Sequence, residues 1–243
     1  MAHEEQRAAN TREDRDEVET PSAKVARIYH ALVVTYGIPE WRPNGDALGE
    51  LIATVLSQHT SDVNSGRAYA GLRASFPTWE AVRDAPTAAV AQAIRSGGLA
   101  QIKAARIQQI LRELTGRLAN QPLDLNFLGE EPLDDALTYL QSLPGVGPKT
   151  AACVLLFSLG RPAFPVDTHV WRVTKRLGLI GARVSADAAH TALARLIPPD
   201  WRYTMHVDLI RHGRTICLAQ RPKCAICPLR AECNYYWATV AER

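Results

Sequence analysis

Four cysteines near the C-terminal end limit the folds open to this chain, because their spacing marks a single metal-binding segment. Cys217, Cys224, Cys227 and Cys233 lie within seventeen residues as C-x6-C-x2-C-x5-C. Structural zinc sites usually carry two close pairs of Cys or His, and only one C-x-x-C occurs here. Single cysteines that flank one C-x-x-C suit a four-iron, four-sulfur cluster. The spacing therefore favours an iron–sulfur cluster and leaves a structural zinc ion as the alternative.

The rest of the chain has the hydrophobic pattern of helices. Apolar residues recur every three to four positions in eight segments, which glycines and prolines separate. No segment alternates apolar and polar residues over a strand's length, and no apolar run reaches the roughly 18 residues of a membrane span. The chain is therefore predicted to be all-α, with no membrane association. The predicted helical segments are residues 23–36, 48–56, 88–94, 103–118, 133–143, 149–159, 170–177 and 186–196.

Charge is distributed unevenly along the chain. Residues 1–20 contain seven acidic and three basic side chains and no apolar stretch, which predicts a mobile acidic tail and no secretory signal. The whole chain carries 23 arginines against five lysines, and arginine suits bidentate phosphate contacts. This composition permits nucleic-acid binding without requiring it. We expect a protein that is not secreted, and a cytoplasmic, nucleoid-associated one if its source is bacterial or archaeal.

A glycine hairpin between two predicted helices indicates binding to a nucleic-acid backbone. In LPGVGPKTA, residues 143–151, Gly145 and Gly147 let the chain reverse and bring its N–H groups close to a phosphate. Pro148 suits the first position of the next helix. Lys149 follows in the first turn, where the helix dipole disfavours an ammonium, and a neutral lysine amine is a nucleophile. The residues alone favour the simpler interpretation of Lys149, a surface lysine that pairs with a phosphate.

A second motif, VDTHV at residues 166–170, places a carboxylate before a predicted helix. Asp167 is a common type of N-cap, so capping is its default interpretation. His169 reads as an ordinary residue of the first turn. Neither residue would be singled out without a partner elsewhere in the chain.

The order of the motifs supplies that partner. The hairpin with Lys149, VDTHV eighteen residues after the lysine, and the cysteine segment together resemble the endonuclease III family of helix-hairpin-helix DNA glycosylases. The resemblance covers about residues 48–233. It includes LSQHTSD at residues 56–62, which is similar to a DNA-facing turn of that family, and Gly98-Leu99, which is similar to its wedge loop.

The resemblance implies two helical lobes on either side of a DNA-binding cleft. One lobe, residues 40–161, is then a helical barrel that carries the helix-hairpin-helix. The other lobe combines residues 21–39 with residues 162–243 and holds one 4Fe–4S cluster. The family also implies a monomer whose partner is double-stranded DNA containing a damaged base.

The resemblance also implies a role for each matching residue. Lys149 matches the catalytic lysine that attacks the sugar C1′ and forms a Schiff base, and Asp167 matches the catalytic aspartate. Leu99 matches the side chain that wedges into the duplex. His59 departs from the family, which often has glutamine at this position. The implied DNA-binding residues are Gln58, His59, Leu99, Gly145, Gly147, His169, Arg221 and Lys223.

The predicted activity is that of a bifunctional DNA glycosylase and AP lyase, which removes oxidised pyrimidines and cuts the strand 3′ to the lesion by β-elimination. Related enzymes for pyrimidine dimers or alkylated bases share the scaffold and stay open as alternatives. A non-enzymatic lesion-binding protein is an alternative of another class. The presence of both Lys149 and Asp167 argues against it, because a pure binder needs neither. A zinc-stapled module that binds a protein partner is the least favoured alternative.

Overall fold

The computed structural model describes residues 21–43, 45–119 and 121–239, and all regular structure within these ranges is helical. The all-α prediction is therefore confirmed for the described chain. None of its helices is both long and apolar enough to cross a membrane. The predicted acidic tail, residues 1–20, lies outside the described residues. The α-helices are α1 (Pro21–Tyr36), α2 (Ala47–Ser57), α3 (Asp62–Ser75), α4 (Trp79–Asp84), α5 (Thr87–Ala93), α6 (Ala100–Leu118), α7 (Leu133–Gln141), α8 (Pro148–Cys153), α9 (Thr168–Leu177), α10 (Ala186–Leu196), α11 (Arg202–Thr215) and α12 (Asn234–Thr239).

Several helices begin where a short polar side chain binds a backbone N–H of the first turn. Such a cap satisfies one of the donors that a helix start leaves unpaired. At α2, for example, the carboxylate of Asp46 accepts from the N–H of Gly49 at 2.7 Å. The residues that cap α2, α3, α4, α9 and α10 in this way are Asp46, Ser61, Thr78, Asp167 and Ser185.

One hydrophobic core is built from the middle of the chain, between Ala47 and Ala163. The longest helix, α6, buries Ile107, Leu111 and Leu114 on one face at the three-to-four spacing of an amphipathic helix. This face packs against α4 and α5, while α2 packs against α3 and α8. The hairpin and α8 therefore belong to this first core.

A second core joins the two ends of the described chain. Val25, Ile28 and Leu32 of α1 are fully buried and cluster with apolar side chains from Phe164 to Cys233. Helix α11 packs against both α1 and α9. The chain passes from the first core to the second between Ala163 and Phe164. The exact lobe boundaries given by the sequence stay a prediction.

Four helices of the described chain, α3, α4, α11 and α12, lie outside the eight predicted segments. The segment predicted as one helix over residues 149–159 is α-helical only to Cys153 and continues as a wider π-helical turn over Val154–Ser158. The N–H of Arg161 then closes this end of the helix on the carbonyl of Leu155 at 2.9 Å.

Candidate active site and nucleic-acid interface

The structure requires a glycine at the first of the two glycine positions of the hairpin. Gly145 has a φ of +69°, which other residues rarely adopt, and a Cβ there would collide with the guanidinium of Arg106 on α6. Gly147 is extended, and the space around it would admit a Cβ. It precedes α8, which begins with Pro148 and has no side-chain cap. Because Val146 is buried, the hairpin is fixed to the first core while the N–H groups at the start of α8 lack a side-chain partner.

Lys149 and Asp167 lie on helices of different cores, yet the charge of each shifts the pKa of the same two buried side chains. Lys149 lies in the first turn of α8, and Asp167 caps α9 by accepting from the N–H of Val170 at 2.7 Å. Burial raises the pKa of the Cys153 thiol to about 11, and the charges of Lys149 and Asp167 shift that pKa in opposite directions. Burial also lowers the pKa of His206 to about 4, and the same two charges act on it. Asp167 is therefore an N-cap, as its default interpretation predicted.

Two histidines hold the segment that delivers Asp167, and sequence reasoning did not find either of them. The N–H of Val166 donates to Nε2 of His190 at 3.0 Å, which leaves Nδ1 of that ring to donate to a carbonyl of its own helix. Nδ1 of the buried His206 lies 2.8 Å from the carbonyl oxygen of Pro165. Two histidine side chains therefore form hydrogen bonds with the backbone just before Asp167. The sequence offered a signal only for His190, which lies within the predicted helical segment 186–196, whereas His206 lies outside every predicted segment.

The turn after α2 places its two predicted residues differently. Gln58 is half-buried, and its N–H bonds to the carbonyl of Val55. His59 is exposed and has a φ of +55°, a left-handed conformation that turns the chain sharply toward α3. The side chain of His59 is therefore available to a ligand, as its predicted role in DNA binding requires.

Leu99 has the exposure and the backbone geometry of a presented side chain. It lies directly before α6 in the left-handed region, with a φ of +50°, and 52% of it is exposed. The preceding Gly98 also has a positive φ. Ile102, one turn further along α6, is exposed as well. The two side chains form an apolar tip that water covers, which is the arrangement expected of a wedge.

A buried lysine joins the Leu99 loop to the end of α2. Lys103 is 4% exposed, and its Nζ donates to the carbonyl oxygens of Leu56 and Gly97, each at 2.8 Å. Burial lowers the pKa of this ammonium. The sequence offered one signal for this role, because Lys103 lies one turn before Ile107 on the apolar face of α6.

The four predicted cysteine ligands line a single cavity of the second core. Burial raises the pKa of the Cys227 thiol to about 11, and the neighbouring thiols Cys217, Cys233 and Cys224 raise it further. Nη1 of Arg176 donates to Sγ of Cys217 at 3.2 Å. None of the five cysteines is in a disulfide.

This donor set fits a polynuclear cluster. The four thiols line one shared cavity, although within the described ranges no three Cys, His, Asp or Glu side chains are close enough together to hold a single metal ion. Thiolates are the preferred ligands of iron–sulfur clusters, in which each cysteine binds a different iron atom.

Two arginines of α9 fix the loop that leads into the cysteine segment. Arg172 donates to the carbonyls of Gly213 and Cys217, and its guanidinium lies 3.1 Å from Nδ1 of His169. Arg176 donates to the carbonyls of Leu218 and Ala219. His169, predicted to contact DNA, is thus half-buried and engaged with the protein.

The remaining two predicted DNA contacts, Arg221 and Lys223, lie in the loop between the first and second cysteines. Both are exposed, and Arg221 has a φ of +50°. The N–H of Lys223 bonds to the carbonyl of Ile216 and closes the loop. These two cations project from the cysteine segment with their charges available to a phosphate.

Comparison with known proteins agrees with this geometry. The family model described as HhH-GPD superfamily base excision DNA repair protein matches residues 52–199. The match covers more than half of the chain. This protein therefore belongs to the HhH-GPD superfamily, whose name refers to the hairpin described above.

Individual relatives narrow the assignment. A candidate DNA glycosylase of Arabidopsis thaliana is 39% identical over 170 residues, which cover 70% of this chain but only 57% of that relative. Endonuclease III of Thermotoga maritima is 34% identical over 191 residues, covering 79% of this chain and 84% of that enzyme. The solved structure of a trapped covalent intermediate of endonuclease III with DNA has a TM-score of 0.72 at 32% identity, covering 89% of this chain and 97% of that one. Within the superfamily, this chain belongs to the endonuclease III family, as the ordered motifs predicted.

Proposed function

We propose that this protein is a bifunctional DNA glycosylase and AP lyase that removes oxidised pyrimidines from duplex DNA. The observation that carries the proposal is the placement of Lys149 in the first turn of α8, directly after the glycine hairpin, and of Asp167 at the cap of α9. A lysine nucleophile and a carboxylate at these two helix starts suit attack on a sugar carbon. The trapped covalent DNA intermediate of the related endonuclease III supports the same chemistry.

In the proposed first step, the Lys149 amine attacks C1′ of the damaged nucleotide. The bond from C1′ to the base breaks, and the base leaves with its electron pair and takes up a proton. Asp167 balances the positive charge that develops on the sugar and accepts the proton that the lysine loses. Because C1′ lies behind the base, the nucleotide must leave the duplex stack before attack.

The first step leaves Lys149 joined to C1′ by a single bond. In the second step the lone pair of this nitrogen breaks the C1′–O4′ bond, O4′ takes up the proton that Asp167 accepted, and the opened sugar is joined to Lys149 by a protonated imine. The imine makes the 2′ proton acidic, so a base removes it and the electron pair expels the 3′ phosphate. The strand is thereby cut 3′ to the lesion. Cys153 has no part in this step, because burial keeps its thiol protonated.

The remaining predicted residues are assigned to DNA and to the cofactor. Leu99 would enter the duplex, the Gly145–Gly147 backbone would bind a phosphate, and Arg221 with Lys223 would bind another. One 4Fe–4S cluster would be held by the four cysteines that line the shared cavity. Such a cluster, when bound, would stabilise the second core and the basic loop.

Borohydride trapping tests the nucleophile and the substrate class together. Borohydride reduces the imine and leaves a covalent protein–DNA complex. We expect trapping on a duplex with an oxidised pyrimidine and on one with an abasic site, and none on undamaged DNA. Lys149→Ala should abolish both complexes while retaining duplex binding. Lys175→Ala is the matched control, because Lys175 lies over the Trp171 ring on α9, away from this chemistry.

Each other result has a defined meaning. Trapping by the Lys149→Ala protein would refute the assignment of the nucleophile. Complexes only on the abasic duplex would leave a lyase, and added duplexes with a pyrimidine dimer or an alkylated base would then identify the glycosylase substrate. Lesion binding without trapping on any duplex would replace the enzyme with a non-enzymatic binder.

A further inference from the structure

A chain of two hydrogen bonds connects α1 to one of the cysteine ligands. The hydroxyl of Tyr36 lies 3.0 Å from Nδ1 of His212, and Nε2 of the same ring lies 3.5 Å from Sγ of Cys227. His212 is 1% exposed, so water does not compete for either ring nitrogen. The Tyr36 ring meets the histidine edge to face, with ring centroids 6.1 Å apart.

The direction of these bonds follows from the number of protons available. A neutral histidine carries one N–H, so one ring nitrogen donates and the other accepts. A cysteine that binds iron has lost its proton and can only accept. The contact with Cys227 is then favourable only if Nε2 carries the N–H. Nδ1 must in turn accept, and the Tyr36 hydroxyl is the donor placed to serve it.

We propose that Tyr36 fixes the proton of His212 on Nε2, so that His212 donates to the sulfur of Cys227 and raises the reduction potential of the cluster. This inference rests on the proposed 4Fe–4S cluster. Hydrogen bonds to cluster sulfurs are among the factors that set these potentials, because a donor stabilises the additional negative charge of the reduced state. Tyr36 is a positioning residue, since it acts through His212 and does not touch the ligand.

The second donor to the cysteines is independent of this relay. Arg176 binds Cys217 through Nη1 and belongs to α9, whereas Tyr36 and His212 belong to α1 and α11. Every nitrogen of a guanidinium is a donor, so the bond from Arg176 to Cys217 does not depend on where a proton sits. Only the histidine contact therefore depends on which nitrogen carries the proton.

The test compares Tyr36→Phe with the wild-type protein as purified with its cluster. Iron and acid-labile sulfide are quantified first, followed by the one-electron midpoint potential and the resonance Raman stretching frequencies of the iron–thiolate bonds. We expect Tyr36→Phe to load the same iron and sulfide, to have a more negative potential and to shift one iron–thiolate band. Tyr29→Phe is the matched control on the same helix, because its ring stacks on Trp201. It should change neither readout.

A second comparison separates positioning from a general effect of the lost hydroxyl. In a His212→Leu background, Tyr36→Phe should no longer change the potential, because leucine offers Cys227 no N–H for Tyr36 to position. An equal shift in both backgrounds would overturn the relay, as would a Tyr36→Phe potential identical to that of the wild type. A wild-type protein that holds zinc without sulfide would refute the cluster itself, whereas a normally loaded cluster with an unchanged potential would refute only the relay.

Discussion

Replacement of Lys103 by methionine tests whether the two DNA-facing loops depend on one buried cation. Lys103→Met keeps an unbranched stem of similar length but removes the donors to Leu56 and Gly97. Two hydrogen bonds from a charged group, at about 1.5–3 kcal/mol each, set the gross loss at about 3–6 kcal/mol. Relief of the ammonium's desolvation cost offsets part of this loss. We therefore expect a net loss of about 2 kcal/mol in the free energy of unfolding, and for a chain of this size a Tm lower by about 4–8 °C.

Urea denaturation followed by circular dichroism measures this change. Lys24→Met is the control, because Lys24 donates to the side chain of Asn234 and not to a buried backbone carbonyl, and it should alter the free energy of unfolding by less than about 0.5 kcal/mol. Lys103→Met should also weaken binding to a lesion duplex, since the loop that carries Leu99 loses its tie to α2. A Lys103→Met protein as stable as the control would show that the two carbonyls find other partners, and the argument for the tie would fail.

Four other variants test further parts of the structure. Gly145→Ala should reduce stability by about 1–2 kcal/mol, because alanine is strained at a left-handed φ and its methyl group meets a guanidinium. Gly116→Ala, in open space within α6, should instead raise stability by up to about 1 kcal/mol in the same urea assay. The carboxylate of Asp208 is fully buried and makes no hydrogen bond, but it forms an ion pair with Nη1 of Arg211 at 3.5 Å. Burial raises the pKa of Asp208 to about 6, against the opposing effect of Arg211. Folding thus favours the protonated acid and opposes the carboxylate, so Asp208→Asn should stabilise the protein by about 2 kcal/mol at pH 7. This gain should shrink as the pH falls from 6 to 4, and a gain that does not depend on pH would contradict the assignment. Joint replacement of Arg221 and Lys223 by alanine should weaken DNA binding and reduce its salt dependence, because fewer counterions are released. An unchanged salt slope would place the DNA backbone elsewhere.

The sequence predicted those helices whose buried faces are continuous. Helix α6 repeats its apolar residues every three to four positions, and this pattern alone located it. Helix α11 was missed because polar His206, Asp208 and His212 share its buried face with Met205 and Leu209. Helix α3 was missed because it buries only small or isolated apolar side chains. Apolar periodicity does not predict a helix whose buried face contains polar groups.

The residues of the candidate site also divide into those that the sequence predicted and those that it did not. The resemblance to the endonuclease III family supplied the roles predicted for Lys149 and Asp167, because the residues alone favoured a surface lysine and a helix cap. Only the cysteine segment indicated its role by its own spacing. The partners that hold these motifs come from distant segments. His190 binds the backbone 24 residues before it, and Lys103 binds a carbonyl 47 residues before it. No local pattern predicts such a contact, because it exists only after both cores have packed.

The buried polar side chains share a purpose that explains why they are retained inside the cores. Each segment assigned to DNA or to catalysis is irregular backbone, whose carbonyl and N–H groups have no helical partner. Lys103 donates to the carbonyls of Leu56 and Gly97. His190 accepts from the N–H of Val166, and His206 bonds to the carbonyl of Pro165, just before Asp167. Arg172 donates to the carbonyl of Cys217 in the cysteine loop. An apolar side chain at any of these positions would leave buried polar groups unpaired, at about 1–3 kcal/mol for each. Stability and the placement of the functional loops therefore depend on the same hydrogen bonds, so a substitution at one of these positions should lower the free energy of unfolding and lesion binding together.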